Sequence, residues 1–315
     1  MLFTNNDLKT FSEEHINLKS AKVTKYREQV NRLRNNLTDY IRDNPEYGLV
    51  KMLHSGSVAK GTALSSINDM DVGVYVKSNH VAGVDDQAII TYIRDALVKV
   101  YKRYGMTEDQ FSLGTHCVKV NFKGTGLDVD VVPVIYSGQD NDLGYLINKD
   151  TGERVLTSIS LHKQFVRKRK ESHPNYAQMV RIIKWWRKER DFKMKSFLIE
   201  LIWAHIADTE GIHNDIHEAL KHFFRYVVQT ELLDPIIFTD NYEQSAVKLE
   251  ASGCNIFDPV NPENNVARTL DFSKRNRIVE ESEEALAYLV HGIQSSTKGI
   301  SIQSLKNIFG SSFSF

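Results

Sequence analysis

The 315-residue sequence predicts an α+β protein with a mixed-sheet N-terminal lobe and a helical C-terminal lobe. The first half follows a helix–strand–helix–strand–strand order whose last two strands form a hairpin, which is typical of a mixed sheet. Beyond Thr157 the apolar residues recur at helical spacing, and no Gly/Ser-rich or Pro-rich linker separates the halves. We therefore expect lobes at residues 1–160 and 161–315, with an active site in the cleft between them.

Composition excludes several classes of protein. Lys and Arg total 40, as do Asp and Glu, so bulk charge argues neither for nor against a polyanionic partner. No apolar run approaches the roughly 18 residues of a membrane span, and the N-terminus lacks the features of a signal peptide. Cys117 and Cys254 lie far apart without metal-type spacing. We expect a cytoplasmic protein with no disulfide framework and no membrane partner; the oligomeric state is not written in the sequence.

A long amphipathic helix is predicted from Ala21 to Ile41. Its apolar residues, among them Val30, Leu33 and Leu37, follow steps of three and four. The pair Asn44-Pro45 is expected to end it, because a proline cannot continue a helix. We interpret this helix as the structural spine of the first lobe, and a coiled-coil partner surface is the alternative.

One stretch of the first lobe combines a Gly/Ser loop, a short helical turn and a strand that opens with two acids. Side chains alternate between the faces of a strand, so Asp69 and Asp71 point the same way. Gly56 and Ser57, a few residues earlier, offer backbone N–H groups and a hydroxyl to phosphates. The stretch is not a P-loop, because Thr62 stands where the P-loop lysine should be.

A second acidic pair opens a later strand. The sequence predicts a loop over residues 77–86, followed by a helix over 87–104. It then predicts a strand over 115–122, a turn over 123–126 and a return strand over 127–135. Asp128 and Asp130 share one face of the return strand, where unpaired carboxylates are costly to bury. The hairpin and a neighbouring strand can bring Asp130 beside Asp69 and Asp71.

Asp69, Asp71 and Asp130, the acidic triad, would then surround one or two Mg²⁺ ions, with Mn²⁺ as the alternative metal. Mg²⁺ is usually held by a few carboxylates together with substrate phosphates. In nucleotidyl transfer, metal ions activate the attacking hydroxyl and hold the triphosphate. We predict that the triad is catalytic and binds the metal; the alternative is two unrelated pairs of loop acids, which the Gly/Ser loop and the strand alternation disfavour.

Five helices are predicted in the second lobe, over residues 161–170, 175–189, 196–208, 216–229 and 274–290. Lys184 lies on the second of them and Ser196 opens the third, an arrangement that suits a triphosphate clamp. The alternative is a solvated Lys184 and a plain N-cap Ser196. Trp185 and Trp186 are interpreted as core residues. The basic run 162–170 is expected to be a solvated helix face, with a polyanion surface or a docking site for an acidic partner as the alternatives.

The first-lobe motifs resemble a known superfamily, the nucleotidyltransferases of the DNA polymerase beta type. The resemblance is carried by Gly56-Ser57, Gly61-Thr62, Asp69-x-Asp71 and Asp130. Longer strings resemble the bacterial cGAS/DncV-like nucleotidyltransferases (CD-NTases), closest to the clade C enzymes of anti-phage CBASS operons; these strings are Gly56–Leu64 and Gly126–Val134. The segment Pro259-Val260-Asn261-Pro262 is similar to the C-terminal lobe of 2′-5′-oligoadenylate synthetase and its bacterial relatives.

That resemblance implies a cyclic oligonucleotide synthase of anti-phage signalling, with a polymerase-beta-like first lobe and an oligoadenylate synthetase-like second lobe. It implies that the acidic triad binds the catalytic metal and that Lys184 and Ser196 contact the donor triphosphate; the part of Asp128 stays open. ATP and other NTPs are the implied substrates, and cyclic tri-adenylate is the expected product. A HORMA-type regulator or a nucleic-acid activator is the implied partner.

Two alternatives to a cyclic product stay open. One is a linear 2′-5′ oligoadenylate synthetase, or a nucleotidyltransferase that acts on RNA or protein. The other is a non-catalytic sensor that binds a nucleotide through the same loop, and the intact acidic triad argues against it. The base, the linkage and the ring size are not written in the sequence.

Overall fold

The computed structural model describes residues 3–44, 47–77 and 85–314. Contacts group the chain into two compact units. The sheet unit is Leu18–Gln164, and the helical unit combines Met1–Asn17 with Phe165–Phe315. The lobe boundary expected between residues 160 and 161 stays a prediction. The first 17 residues group with the C-terminal helices, which the sequence does not indicate.

Helices and strands alternate in the first half of the described chain, and helices alone follow in the second. The helices are α1 (Asn5–Phe11), α2 (Ser20–Asp43), α3 (Gly56–Lys60), α4 (Ile89–Lys102), α5 (Ile159–Ser172), α6 (Tyr176–Glu189), α7 (Ser196–Thr209), α8 (Ile216–Thr230), α9 (Phe272–Gln294) and α10 (Lys298–Phe309). The strands are β1 (Gly48–Ser55), β2 (Asp69–Lys77), β3 (Phe111–Leu113), β4 (Val118–Phe122), β5 (Leu127–Tyr136), β6 (Gly144–Ile147) and β7 (Arg154–Thr157).

The strands form one mixed sheet in the order β1-β2-β5-β4-β3, and β6 joins β5 to β7. Strands β2 and β5 are parallel neighbours. The pairs β1–β2, β3–β4, β4–β5, β5–β6 and β6–β7 are antiparallel. The predicted mixed sheet is confirmed, and so is the hairpin turn between β4 and β5.

The predicted spine helix is confirmed as α2. Its buried face, which includes Val30, Leu33 and Leu37, packs into the core of the sheet unit together with α4 and the inner face of the sheet. Burying each such side chain contributes about 1.5–3 kcal/mol. The helix ends at Asp43, while Pro45 and residues 78–84 of the predicted loop 77–86 lie outside the described residues.

The strand predicted over 115–122 is shorter in the structure, where β4 begins only at Val118. A tight turn occupies the preceding residues, because the backbone N–H of Gly114 donates to the Cys117 carbonyl oxygen at 2.8 Å. This turn reverses the chain between β3 and β4. Residues 112–117 contain one large apolar residue, Leu113, so no apolar alternation distinguishes a short strand and its turn from one continuous strand.

The helical unit includes the N-terminal segment, which aromatic rings attach to the chain's C-terminal residues. The ring centroids of Phe11 and Phe313 lie 4.8 Å apart, and those of Phe3 and Phe313 lie 5.7 Å apart. Trp185 donates its indole N–H to the Phe309 carbonyl oxygen at 2.9 Å. Trp186 is fully buried, so the core role expected for both tryptophans is confirmed.

The five predicted helices of the second half are confirmed, but α10 is an additional helix. Two of its buried positions are serines, Ser301 and Ser304, so its apolar periodicity is weak. The Ser301 hydroxyl donates to the Gly292 carbonyl oxygen of α9 at 2.7 Å. Small side chains therefore let the two helices approach closely, and an apolar count misses this kind of packing.

The expectation that the basic run 162–170 is a solvated face is wrong for Arg169, which is buried in α5. Its guanidinium pairs with Asp208 and lies 3.0 Å from an Asp240 oxygen. It also lies over the Phe165 ring at 3.5 Å from the ring centroid. Arg169 follows Phe165 by one helical turn and so falls on the buried face, where the two carboxylates compensate its charge.

Candidate active site

The parallel pairing of β2 with β5 brings the predicted acids together. Asp69 lies opposite Asp128, and Asp71 lies opposite Asp130. Neighbouring strands are about 4.8 Å apart, and residues paired in register project from the same face of a sheet. The four carboxylates therefore form two adjacent rows at the start of both strands. The neighbourhood predicted for the acidic triad is present, while its catalytic role stays a prediction.

The acids of this face repel one another. Burial, reinforced by the charges of Asp69 and Asp130, raises the pKa of Asp71 to about 6. Burial also raises the pKa of Asp130, against the opposing effect of the Lys119 ammonium. Lys119 is paired with Asp130 across the antiparallel β4–β5 ladder. Lys119 was not predicted as a site residue, although its alternation along β4 and the hairpin register could have placed it there.

Asp128 has a side-chain hydrogen-bond partner on the neighbouring strand β4. The Asn121 side-chain amide donates to an Asp128 carboxylate oxygen at 2.6 Å, and the two residues are paired across β4 and β5. The Asp128 backbone N–H donates to the Asn68 carbonyl oxygen at 2.7 Å. These bonds hold the start of β5 against the chain that enters β2. The Asp128 carboxylate is thereby tied to β4.

The Gly/Ser loop lies against the triad. Gly56 begins α3 with φ at +68°, and a Cβ atom at this position would overlap the Asp71 carboxylate. The Ser57 carbonyl oxygen accepts from the Thr62 backbone N–H at 2.9 Å, and α3 ends at Gly61 with φ at +76°. The local sequence thus forms one short helical turn whose first residue touches Asp71.

The chemistry of this face fits a divalent cation. Within residues 3–44, 47–77 and 85–314, no three Asp, Glu, His or Cys side chains converge as a ready-made metal site. Mg²⁺ does not require such a site, because waters and substrate phosphates complete its coordination. Burial and the charges of Asp69 and Asp130 raise the pKa of Asp71, and Lys60 and Lys119 offset this negative face only in part. A divalent cation would neutralise that face.

Lys184 and Ser196 lie in the helical unit. The Lys184 ammonium is 2.8 Å from a Glu200 carboxylate oxygen, and the two side chains are 4% and 3% exposed. The alternative of a solvated Lys184 is therefore wrong. Ser196 is the first residue of α7 and not its N-cap, and its hydroxyl accepts from the Arg187 guanidinium at 3.2 Å. A triphosphate role for Lys184 and Ser196 stays a prediction.

Comparison with known proteins identifies the family. Residues 2–166 match the family model described as Second Messenger Oligonucleotide or Dinucleotide Synthetase domain, SMODS. The "Cyclic AMP-AMP-AMP synthase" of Escherichia coli (strain MS 115-1) is 40% identical over 309 residues, which cover 96% of this chain and 95% of that relative. The chain belongs to the SMODS family.

Other SMODS relatives agree with this assignment. The "CBASS oligonucleotide cyclase CdnC" of E. coli (strain KTE188) is 30% identical over 291 residues, 91% of each chain. A structure of E. coli MS115-1 CdnC with ATP superposes with a TM-score of 0.89 at 38% identity and covers both chains completely. Vibrio cholerae DncV cyclic AMP-GMP synthase superposes with a TM-score of 0.75 at 11% identity, which shows the shared fold.

This SMODS protein is a CD-NTase of the CBASS type, and its fold is that of the cGAS/DncV-like nucleotidyltransferases. It is an enzyme, a nucleotidyltransferase that synthesises cyclic oligonucleotides. Within the described part of the chain, no helix combines the length and the apolar character needed to cross a membrane.

Proposed function

We propose that this SMODS enzyme joins ATP into cyclic tri-adenylate at the acidic triad. The observation that carries the proposal is the parallel register of β2 and β5, which pairs Asp71 with Asp130 two residue pairs beyond the pair of Asp69 with Asp128. The choice of product rests on the 40% identical relative that is named a cyclic AMP-AMP-AMP synthase. The choice of substrate is supported by the CdnC structure with ATP.

Asp69, Asp71 and Asp130 would hold Mg²⁺, or Mn²⁺ in its place. When bound, the cation supplies charge neutralisation for the triphosphate and favours the deprotonated attacking hydroxyl. Gly56 lets the loop reach the Asp71 carboxylate, and Ser57 would present its hydroxyl and backbone N–H to the phosphates.

In the reaction, a ribose hydroxyl oxygen of one nucleotide forms a bond to the α-phosphorus of another. The bond between that phosphorus and the α–β bridging oxygen breaks, and pyrophosphate leaves with the electron pair. Two such steps give a linear trinucleotide, and a third closes the ring on the remaining triphosphate. The chain's contribution is to hold the reacting groups in line and to stabilise the charge on the transferred phosphoryl group.

In the helical unit, Lys184 and Ser196 are proposed to contact the donor triphosphate. Lys184 is paired with Glu200, so a phosphate would have to share its ammonium with that carboxylate. An ammonium has three donor hydrogens, which allows both contacts at once. The Ser196 hydroxyl accepts from Arg187 and so keeps its own hydrogen to donate to a phosphate.

We further propose a HORMA-type partner and a cytoplasmic location. A CdnC relative of 38% identity forms a CdnC:HORMA complex that superposes on this chain with a TM-score of 0.88. Cys117 and Cys254 are both free thiols, which suits a reducing compartment.

The test is to incubate the protein with each of the four radiolabelled NTPs singly and with all four together, in Mg²⁺ and in Mn²⁺, with and without a HORMA-type partner. We expect ATP alone to give a phosphatase-resistant product with the mass of three AMP residues. A phosphatase-sensitive product would indicate a linear oligonucleotide. Tight ATP binding without pyrophosphate release under all these conditions would indicate a sensor.

A further inference from the structure

A cavity of about 520 Å³ lies entirely within the helical unit, formed by the connection between α6 and α7 and by the residues around the start of α9. We call it the α6–α7 pocket. Its lining is strongly basic. Five cationic side chains border it, against the single carboxylate of Asp191; the cations are Arg187, Lys188, Lys193, Lys195 and Lys274.

Most of this positive charge is not compensated by carboxylates. Lys274 pairs with Asp271 at 2.6 Å, and Lys188 approaches Glu189 at 4.0 Å. Across the described residues, no ion pair joins the other three cations, Arg187, Lys193 and Lys195, to a carboxylate. Lys195 instead donates to the Val266 carbonyl oxygen at 3.2 Å. The charge of these side chains is therefore not offset by a paired carboxylate among the described residues.

Arg187 is a partly buried cation of this pocket whose hydrogen-bond partners are neutral. Its guanidinium donates to the Met194 carbonyl oxygen at 2.6 Å and to the Ser196 hydroxyl at 3.2 Å, both of which are neutral. Burial lowers the pKa of Arg187, and no carboxylate offsets that effect. A partly buried cation without a counter-charge is costly, and an anionic ligand in the pocket would offset the cost.

The rest of the lining is apolar and held in place. Phe192, Met194 and Leu270 form part of the wall. Phe192 packs edge-on against the buried Trp186 ring, with the ring centroids 4.9 Å apart. Asp191 adopts a left-handed conformation with φ at 50°, which turns the chain sharply at the pocket. The wall is thus a fixed apolar surface beside a cationic rim.

We propose that the α6–α7 pocket binds one nucleotide-sized organic phosphate, with its phosphates on the cationic rim and its base on the apolar wall. The volume falls within the range of about 300–1,000 Å³ that is usual for small-molecule sites. A nucleic-acid duplex does not enter a cavity of this size. The proposal goes beyond the synthesis of the cyclic product, because it places a further nucleotide site in the helical unit, in addition to the nucleotides that react at the acidic triad.

Two compounds of the proposed reaction share this chemistry: the triphosphate substrate, and the cyclic product, of which one nucleotide would enter the pocket. The test uses α,β-methylene-ATP, which cannot release pyrophosphate, and cyclic tri-adenylate as separate probes in equilibrium dialysis with the full chain. We expect one of them to bind with one equivalent more than the acidic triad accounts for. The proposed reaction needs a donor and an acceptor nucleotide at the acidic triad, so the triad accounts for two equivalents of the ATP analogue and one of cyclic tri-adenylate. A third equivalent of the ATP analogue would indicate a substrate-type site, and a second equivalent of cyclic tri-adenylate would indicate a product site.

Variants then locate the extra equivalent. Lys188→Glu with Lys193→Glu should weaken it at least tenfold, whereas Lys170→Glu with Lys248→Glu makes the same change of charge elsewhere in the unit and should not. Thr269→Trp should weaken it without any change of charge, because an indole would fill part of the cavity.

Three results would overturn the proposal. The first is no extra equivalent of either probe, and the second is an extra equivalent that both charge variants reduce alike. The third is that inorganic triphosphate binds as tightly as the nucleotide probe and that Thr269→Trp does not weaken the binding of that probe. This result would indicate a site for any anion. Pyrophosphate release by the wild-type chain is measured separately, so failure of the proposed synthase activity is recognised independently of these binding results.

Discussion

Gly56 and Asp71 are in such close contact that a Cβ atom on Gly56 would overlap the Asp71 carboxylate. Gly56 also has φ at +68°, a conformation that other residues adopt only with strain. Backbone conformation and steric contact thus both require glycine at the start of α3. The start of α3 and the Asp71 carboxylate are therefore in direct contact, so a change at Gly56 acts on Asp71.

Gly56→Ala should reduce pyrophosphate release by about 100-fold, because the added methyl group displaces a carboxylate whose position matters within about 1 Å. The left-handed backbone adds about 1 kcal/mol of destabilisation. Gly105→Ala is the matched control, since Gly105 has φ at +75° and open space where its Cβ would lie. Equal activity loss in both variants, measured alongside their melting temperatures, would show that backbone strain alone is responsible.

The two acids of β5 should behave differently when neutralised. Asp130→Asn should lower pyrophosphate release by about 10³-fold, as should Asp69→Asn combined with Asp71→Asn, because the metal site loses charge. Asp128→Asn should cost less than about tenfold, since an Asn oxygen can still accept from the Asn121 amide. Steady-state kinetics over a range of Mg²⁺ concentrations checks this contrast, and equal losses at Asp128 and Asp130 would contradict it.

The strand alternation predicted which acids share a face of their strand, because a single sequence displays such short-range periodicity directly. The closeness of Asp130 to Asp71 depends on the parallel pairing of β2 with β5, which was expected from the chemistry of the acids and not from periodicity. The partners of these acids were not predicted. Lys119 and Asn121 face Asp130 and Asp128 only because β4 pairs with β5 in one particular register.

Long-range pairs in the helical unit were also beyond the sequence. Lys184 and Glu200 lie on different helices, and nothing local to either residue indicates a buried ion pair. Arg169 looks like one more cation of a basic run, yet Asp240, about seventy positions later, pairs with it. The fold class follows from local periodicity, whereas the ion pairs follow from how distant helices pack.

His217 should make the helical unit less stable as the pH falls. Burial lowers the pKa of His217 below its ordinary value of 6.5. At pH values between the folded-state pKa and 6.5, His217 is protonated in the unfolded chain but not in the folded chain. The free energy of unfolding therefore falls as the pH drops through this window.

The measurement is the melting temperature between pH 7.5 and pH 5 for the wild type and His217→Gln. The variant should be less stable at pH 7.5, because the stacked pair of His217 with Phe3, with ring centroids 4.5 Å apart, is lost. Its melting temperature should nevertheless fall less steeply with acid. His213→Gln, at an exposed position in the same unit, should keep the wild-type slope, and a wild-type slope in His217→Gln would contradict the assignment.

The buried pair of Lys184 with Glu200 allows the structural and catalytic roles of Lys184 to be separated. Lys184→Met should destabilise the fold by about 3–5 kcal/mol, because it leaves a buried carboxylate without its counter-charge. Lys184→Met combined with Glu200→Leu removes both charges and should recover most of that loss in chemical denaturation. If Lys184 also contacts the donor triphosphate, the stable double variant should still show a raised KM for ATP. If the double variant instead has a wild-type KM for ATP, Lys184 has a structural role only. The triphosphate contact would then have to be made by other groups.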